Sequence, residues 1–456
     1  MEHTRHGWWL QEAGAVEPAP PLAGSSSADV AVVGGGYLGL WTAWHLAEAG
    51  ADVVVLEAGR CGHGPSGRNG GFVSSLWDQL PALEERFGRE RALDVGRASA
   101  DSVRRIGAWC AEQEVEAWYT EAPQLEVSTA PPQDGAWTAV AAACARAGLA
   151  DEARELTRDE VLAICASPLF RGGFALQTAA TVQPARLALG LRARLQERGV
   201  RIHELSPVVE AHAEGVATAA GSVRAGAVVL AVNSATGAFP GFRNRLAVAS
   251  SHIVLTEPVP DVLQELGWTG GEAIADARTL LHYLRTTRDG RIVFGWGGGR
   301  MGYGARPLAR LELDAYVVAH ARRQLLRFFP QLEGRRVTHA WGGPIDVSPT
   351  HLPVFGSRGR LCFGYGFTGN GVGPSELGGR ILASLALDRR DALSRLALVD
   401  PPPKRFPPEP LRALGGGAIR RALIAVDEAA DAGRRAQPLA RGIGALPRLL
   451  GLHLPR

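Results

Sequence analysis

The sequence predicts an α/β protein in which a Rossmann-like domain is interleaved with a mixed-sheet α+β domain. Three observations predict it. First, a short buried-type run at 29–33 (DVAVV) leads into a glycine turn, a helical repeat over 37–49 and a second run at 52–56 (DVVVL). Second, the same alternation returns at 201–231, ending in AVVLAVN, and again at 362–387 as strand, glycine-rich loop and helix. Third, a β-rich block of HIVLTEP, TLLHYLRTT and RIVFGWG separates those two returns.

Taken in chain order, residues 1–28 read as a polar lead-in with APAPPLAGSSS as a linker. The Rossmann-like domain is assigned to 29–100, 180–240 and 335–400, and the second domain to 101–179 and 241–334. SVRRIGAWCAEQ is helical, and Pro184 suits the first position of a helix running through PARLALGLRARLQERG. Asp289-Gly290 makes a two-residue hairpin turn, and 308–329 reads as one long amphipathic helix. After PPPKRFPPEP, a basic helical tail fills 401–456, with 10 Lys and Arg against 4 Asp and Glu.

Composition bounds the function. At 456 residues, 46% hydrophobic and 21% charged, the chain has the profile of a soluble globular protein of about three domains. A net charge of +3, with no basic run interleaved with aromatics, argues against nucleic acid. Cys61, Cys110, Cys144, Cys165 and Cys362 are scattered and form no C-x-x-C, which argues against disulfides and zinc knuckles. The N-terminus lacks the order of a signal peptide, and no apolar run approaches the ~20 residues of a membrane span. A reduced cytoplasmic protein is expected.

The turn VVGGGYLG carries G-x-G-x-x-G at Gly34, Gly36 and Gly39, between a strand and a helix. Glu57 lies 18 residues past Gly39, at the end of the second strand, where a carboxylate can accept from ribose hydroxyls and would repel a 2′-phosphate. Beyond it, EAGRCGHGPSGRNGGF (57–72) could be a metal site on Cys61 and His63, a phosphate cradle, or the cover of a larger cofactor. Two ligands with no obvious third make a poor metal site. Closely spaced glycines with donors at Ser66, Arg68 and Asn69 suit a long dinucleotide.

GGGYLG, LEA and C-G-x-G-x-S-G-R-N-G-G resemble the FAD-dependent D-amino-acid oxidase superfamily. Within it the sequence is most similar to the γ-glutamylputrescine oxidase and aminophosphonate oxidoreductase group. T-V-Q-P, VVLAVN-S-ATG, Y-x-R, P-x-D-x-x-P-x-x-x-P-V-F-G and G-F-T-G-N-G-V extend the resemblance along nearly the whole chain. It implies an FAD-binding domain joined to a substrate domain. The cofactor-contacting set is then Gly34, Gly36, Tyr37, Leu38 and Gly39; Glu57, Ala58 and Arg60; Ser66, Arg68, Asn69, Gly70 and Gly71; Val208 and Ala231; and Gly369, Asn370, Gly371 and Val372. Relatives that attach flavin covalently place a histidine where Asn69 stands, or a cysteine near 346–349. Neither is present, so non-covalent FAD is expected.

The β-rich block should form the substrate face. A two-residue turn pairs Tyr283 with Trp296 and Arg285 with Phe294 on one face, with Arg285 clamping a substrate anion. His252 and Asn370 complete the candidate catalytic residues; His339 is expected to be structural. No second G-x-G-x-x-G provides a nicotinamide site, so electrons come from substrate. The resemblance implies oxidation of a C–N bond in an amine or amino acid, with hydride passing to flavin N5 and the imine then hydrolysed.

Three readings stay open. One is an oxidase releasing peroxide to O2. Another is a dehydrogenase passing electrons to a quinone or carrier, its basic tail open to peripheral contact with an anionic membrane. The third is a partner-dependent, non-catalytic flavoprotein. Lys404, the only lysine, stands in a proline-rich segment poorly suited to activating O2.

Overall fold

The computed structural model describes residues 2–3, 7–304, 308–449 and 452. Two sheets organise it. The first is built on a parallel core in the order Arg201–His203, Val53–Leu56, Gly24–Val33 and Gly221–Leu230, with Leu361–Tyr365 also parallel to the last. Runs such as VVVL are buried on both faces, as a parallel sheet with helices on either side requires. Tyr37–Glu48, Pro184–Glu197 and Val372–Ala386 are the covering helices, and Trp41, Trp44, Leu187 and Ile381 fill the core between them and the sheet.

Among the described residues the second sheet has nine strands. Its centre is Val337–Val347, Ala247–Thr256, Ile292–Trp296, His282–Thr286, Ala273–Asp276 and Gln124–Ser128, in that spatial order. One face packs on the helix Ala315–Phe328 through Val317, Leu325 and Phe328. The other face turns toward the dinucleotide-type domain.

Five sequence expectations are corrected. The lead-in is not a free linker: Gly7–Ala13 is a helix with Trp9 fully buried, and the first strand begins at Gly24 instead of Asp29. Ala19 N–H donates to Glu204 Oε2 at 2.5 Å, which ties this segment down. The 335–400 block is divided, because Val337–Val347 pairs along its whole length with Ala247–Thr256 in the second sheet. The helix expected over 308–329 breaks into Ala309–Glu312 and Ala315–Phe328, since Asp314 caps the second piece by accepting from Tyr316 N–H and Val317 N–H. The tail, set apart from both domains, is helical as expected but lies on the second domain: Leu411–Asp431 puts Ile424 in its core.

The fifth correction is the hairpin register. Thr287 N–H donates to Arg291 O and Gly290 N–H to Thr287 O, both at 3.0 Å, so the turn holds three residues, with Gly290 at φ +76°. The register slips by one. Tyr283 faces Gly295 and Arg285 faces Val293, while Trp296 pairs with His282. A one-residue slip moves a side chain to the other face, so Trp296 leaves the predicted Tyr/Arg/Trp surface.

Candidate active site

The glycine-rich side of the site is assembled from main chain. A Cβ on Gly34 would collide with Ala231 O, and one on Gly39 with Gly34 O, so strand, turn and helix are in backbone contact. The helix Tyr37–Glu48 begins at Gly36 with no side-chain cap of its own. Ser66 Oγ crosses over to accept from Tyr37 N–H at 2.9 Å, which brings the 66–71 loop to the helix N-terminus. Tyr37 then anchors that helix by donating its hydroxyl to Pro184 O at 2.7 Å.

Glu57 closes the other side. Its carboxylate accepts from Gly35 N–H and Gly59 N–H, each at 2.7 Å, while burial pushes its pKa upward. Ser206 N–H donates to Glu57 O and Leu205 N–H to Gly59 O, which leads the chain into the strand that begins at Val208. Arg60 points away, donating to Val16 O at 3.5 Å. Cys61 is buried against Gly35 and Glu57 and packs this corner. Among the described residues no group of three or more His, Cys, Asp or Glu is arranged to hold a metal.

Within the loop, Asn69 binds its own backbone. Its amide donates to Ser66 O at 2.7 Å, and its oxygen accepts from Gly71 N–H at 2.7 Å. Arg68 is buried, and its carbonyl accepts from Trp341 Nε1–H at 2.8 Å. Opposite stands the second glycine-rich helix start. Gly371 caps Val372–Ala386 without a side-chain bond, and a Cβ on Gly373 would collide with Ser74 O. Gly369 and Asn370 precede it, with Asn370 Nδ2 donating to Ser75 O at 3.4 Å.

Asp346 organises that segment. It accepts from Gly366 N–H at 2.5 Å and from Asn233 Nδ2 at 3.0 Å, and burial pushes its pKa up to about 7.

The sheet face above these loops follows from register. Phe174, Glu126, Ala275, Tyr283, Gly295, Ile253 and Trp341 are successive partners across six neighbouring strand pairs, and therefore form one row on one face. Tyr283 stands over Gly70, meets the edge of Phe72 at 5.9 Å, and shares a 2.7 Å hydrogen bond with Ser251 Oγ. Two strands along, Glu126 has its pKa raised to about 7 by burial and by Asp78, a carboxyl itself raised to about 6.

Sequence reasoning missed both acids. For Glu126 the signal was available: in QLEVS, Leu125 and Val127 enter the helix-side core, so Gln124 and Glu126 must face the opposite way.

Two expected roles are corrected. Arg285 is not free to clamp a substrate anion. Its guanidinium is buried and donates to Val182 O (2.5 Å), Gly71 O (3.2 Å) and Thr286 O (3.1 Å), over the Trp9 ring. With no carboxylate among these partners, desolvation lowers its pKa to about 9. His252, expected as an acid or base, is on the reverse face. It is fully buried opposite Gly342 and Trp296, its ring nitrogens have no partner, and burial lowers its pKa to about 4.

The residues fit FAD. They provide a turn at Gly34–Gly39 with no room for Cβ atoms, two helix N-termini that start from glycine, and a carboxylate at the second strand's end. Ser75 Oγ, beside Asn370, is buried with no partner.

Comparison with known proteins agrees with that geometry. The family described as FAD dependent oxidoreductase (DAO) matches residues 29–385. This chain belongs to that family.

The DAO-family chain is 30% identical to the γ-glutamylputrescine oxidoreductase of Escherichia coli (strain K12), over 91% of this chain and 97% of that protein. Its fold resembles glycine oxidase from Geobacillus kaustophilus (TM-score 0.66, 20% identity), with 82% of this chain and 99% of that one covered. It also resembles L-proline dehydrogenase from P. horikoshii (TM-score 0.67, 19% identity), with 82% and 96% covered. The DAO-family protein is therefore an FAD-dependent oxidoreductase acting on amines or amino acids, and it carries the α/β fold expected from sequence.

Proposed function

We propose that the enzyme oxidises the C–N bond of an amine seated between the 66–71 loop and the row containing Tyr283 and Glu126. The observation that supports this most is that row, because it aligns a half-buried carboxylate, two small residues and a tyrosine, with Tyr283 over Gly70 of the loop. In this reading Gly34, Gly36, Tyr37, Leu38, Gly39, Glu57, Ala58, Ala231 and Val208 surround the adenosine and pyrophosphate. The 66–71 loop and Gly369, Asn370, Gly371 and Val372 flank the ring system. FAD, when bound, supplies the two-electron acceptor for the C–H bond beside nitrogen.

The chain's own residues set the amine up. Glu126, with a pKa near 7, takes the ammonium proton at its carboxylate so that the nitrogen lone pair is free. Tyr283, fixed by Ser251, orients the amine and helps close the space to water. Arg285 fastens the loop at Gly71. With Arg285 spent on main-chain carbonyls, the substrate class is a terminal amine of the γ-glutamylated-diamine type instead of an α-amino acid held by its carboxylate.

The FAD is dissociable, since Asn69 offers no attachment chemistry and acid precipitation should leave the flavin in solution. O2 or another electron acceptor completes turnover, and we favour an oxidase that forms peroxide. The five free, buried cysteines suit the reducing cytoplasm, where we place the enzyme. No helix among the described residues is long and apolar enough to cross a membrane. The test is anaerobic mixing with a panel of amines and amino acids. γ-Glutamylated diamines should bleach the flavin absorbance, and bleaching by α-amino acids alone would overturn the substrate class.

A further inference from the structure

The two C-terminal helices, Leu411–Asp431 and Pro438–Leu449, lie beyond the family match, which ends at residue 385. The longer helix is fastened inward. Asp431 pairs with Arg278 and Arg327, Arg420 Nη2 donates to Gly298 O at 2.7 Å, and Ile424 enters the core. Asp427 also faces Arg278. The shorter helix folds back, with Gly444 against Leu423, and it buries Pro447 on the side where Ala440, Ile443 and Gly444 are partly covered.

What remains outside is sorted. Leu439, Leu446 and Leu449 recur at i, i+7 and i+10, one helical face, and are 72%, 42% and 79% exposed. Arg441 and Arg448 project from the same helix about 80–180° round from the leucines, and Arg421, Arg434 and Arg435 are also exposed on the hairpin. Glu428 is the hairpin's one exposed acid, because the two aspartates point inward.

We propose that this hairpin docks the enzyme on an anionic membrane surface, with the three leucines in the headgroup boundary and the hairpin's exposed arginine charge drawn to the anionic surface. Charge complementarity selects that occupant. A second copy joined about a two-fold axis would set arginine patch against arginine patch. A protein partner is poorly matched, because residues 411–449 contain no Trp, Tyr or Phe anchor.

The full-length FAD-loaded enzyme should float with vesicles of equimolar phosphatidylglycerol and phosphatidylcholine, and remain behind with phosphatidylcholine alone. Added salt should weaken the interaction. Replacing all three leucines (Leu439→Glu, Leu446→Glu, Leu449→Glu) should abolish flotation. Arg441→Gln and Arg448→Gln should weaken it roughly fivefold each. FAD content and amine-dependent bleaching should stay at wild-type levels in every variant, which keeps this proposal separable from the substrate reading. No flotation with anionic vesicles, or flotation indifferent to the leucine changes, overturns the proposal. A dimer lost in the triple-leucine variant would overturn it in favour of self-association.

Discussion

The glycine-rich loops and the strand row facing them are built by opposite means. Around 34–39 and 369–373 the surface is largely main chain: Gly34, Gly39 and Gly373 lie against carbonyls, and both helices start from a glycine. Facing them, where we place the substrate, is a row of side chains whose neighbours are fixed by strand pairing. At Gly34, Gly39 and Gly373 the first kind of surface has no room for an added Cβ. The second depends on which residue lands on which face. Substitutions on the two sides should therefore fail differently, by loss of cofactor on one and by loss of chemistry with cofactor retained on the other.

The largest effect should come from Gly39→Val. A Cβ there would collide with Gly34 O, so the purified variant should be colourless, with no flavin absorbance. Next is Glu126→Gln, which should keep FAD and its visible spectrum while slowing flavin reduction by amine about 10²-fold or more, as expected for loss of a general base. Tyr283→Phe removes one hydrogen bond to Ser251, worth about 1 kcal/mol, and should slow reduction roughly fivefold.

Smallest is His252→Leu. On the reverse face it should leave the reduction rate and its pH dependence within about twofold of wild type, because exchanging an unpaired buried imidazole for an apolar group removes no partner. A large, selective loss of reduction rate in that variant would put the histidine back at the site and break the assignment of faces.

The sequence was most informative where function is written in backbone. Gly34, Gly36, Gly39 and Glu57 stand between two recognisable strands, and their spacing alone predicts the turn that the structure contains. The hairpin was harder. Asp289-Gly290 fits a two-residue turn and equally the three-residue turn with Gly290 in the left-handed region, and local sequence does not choose between them. That ambiguity exchanged Gly295 for Trp296 opposite Tyr283.

Val337–Val347 read as part of the wrong domain because its partner, Ala247–Thr256, is distant in sequence. The short N-terminal helix gives little periodic signal, and only tertiary burial of Trp8 and Trp9 reveals it. Glu126 was legible from the alternation in QLEVS. Arg285 was not, since its bonds to Gly71 O and Val182 O join segments far apart in the chain.

The most direct test is the pH dependence of anaerobic flavin reduction by a γ-glutamylated diamine, measured in the wild type and in Glu126→Gln. Glu126 accepts a proton only as carboxylate, so the wild-type rate should be low in acid and rise as pH passes through about 7. The Glu126→Gln enzyme should be slow throughout and lack that rise. An identical rise in both enzymes, at comparable rates, would contradict the account by showing that another group receives the proton.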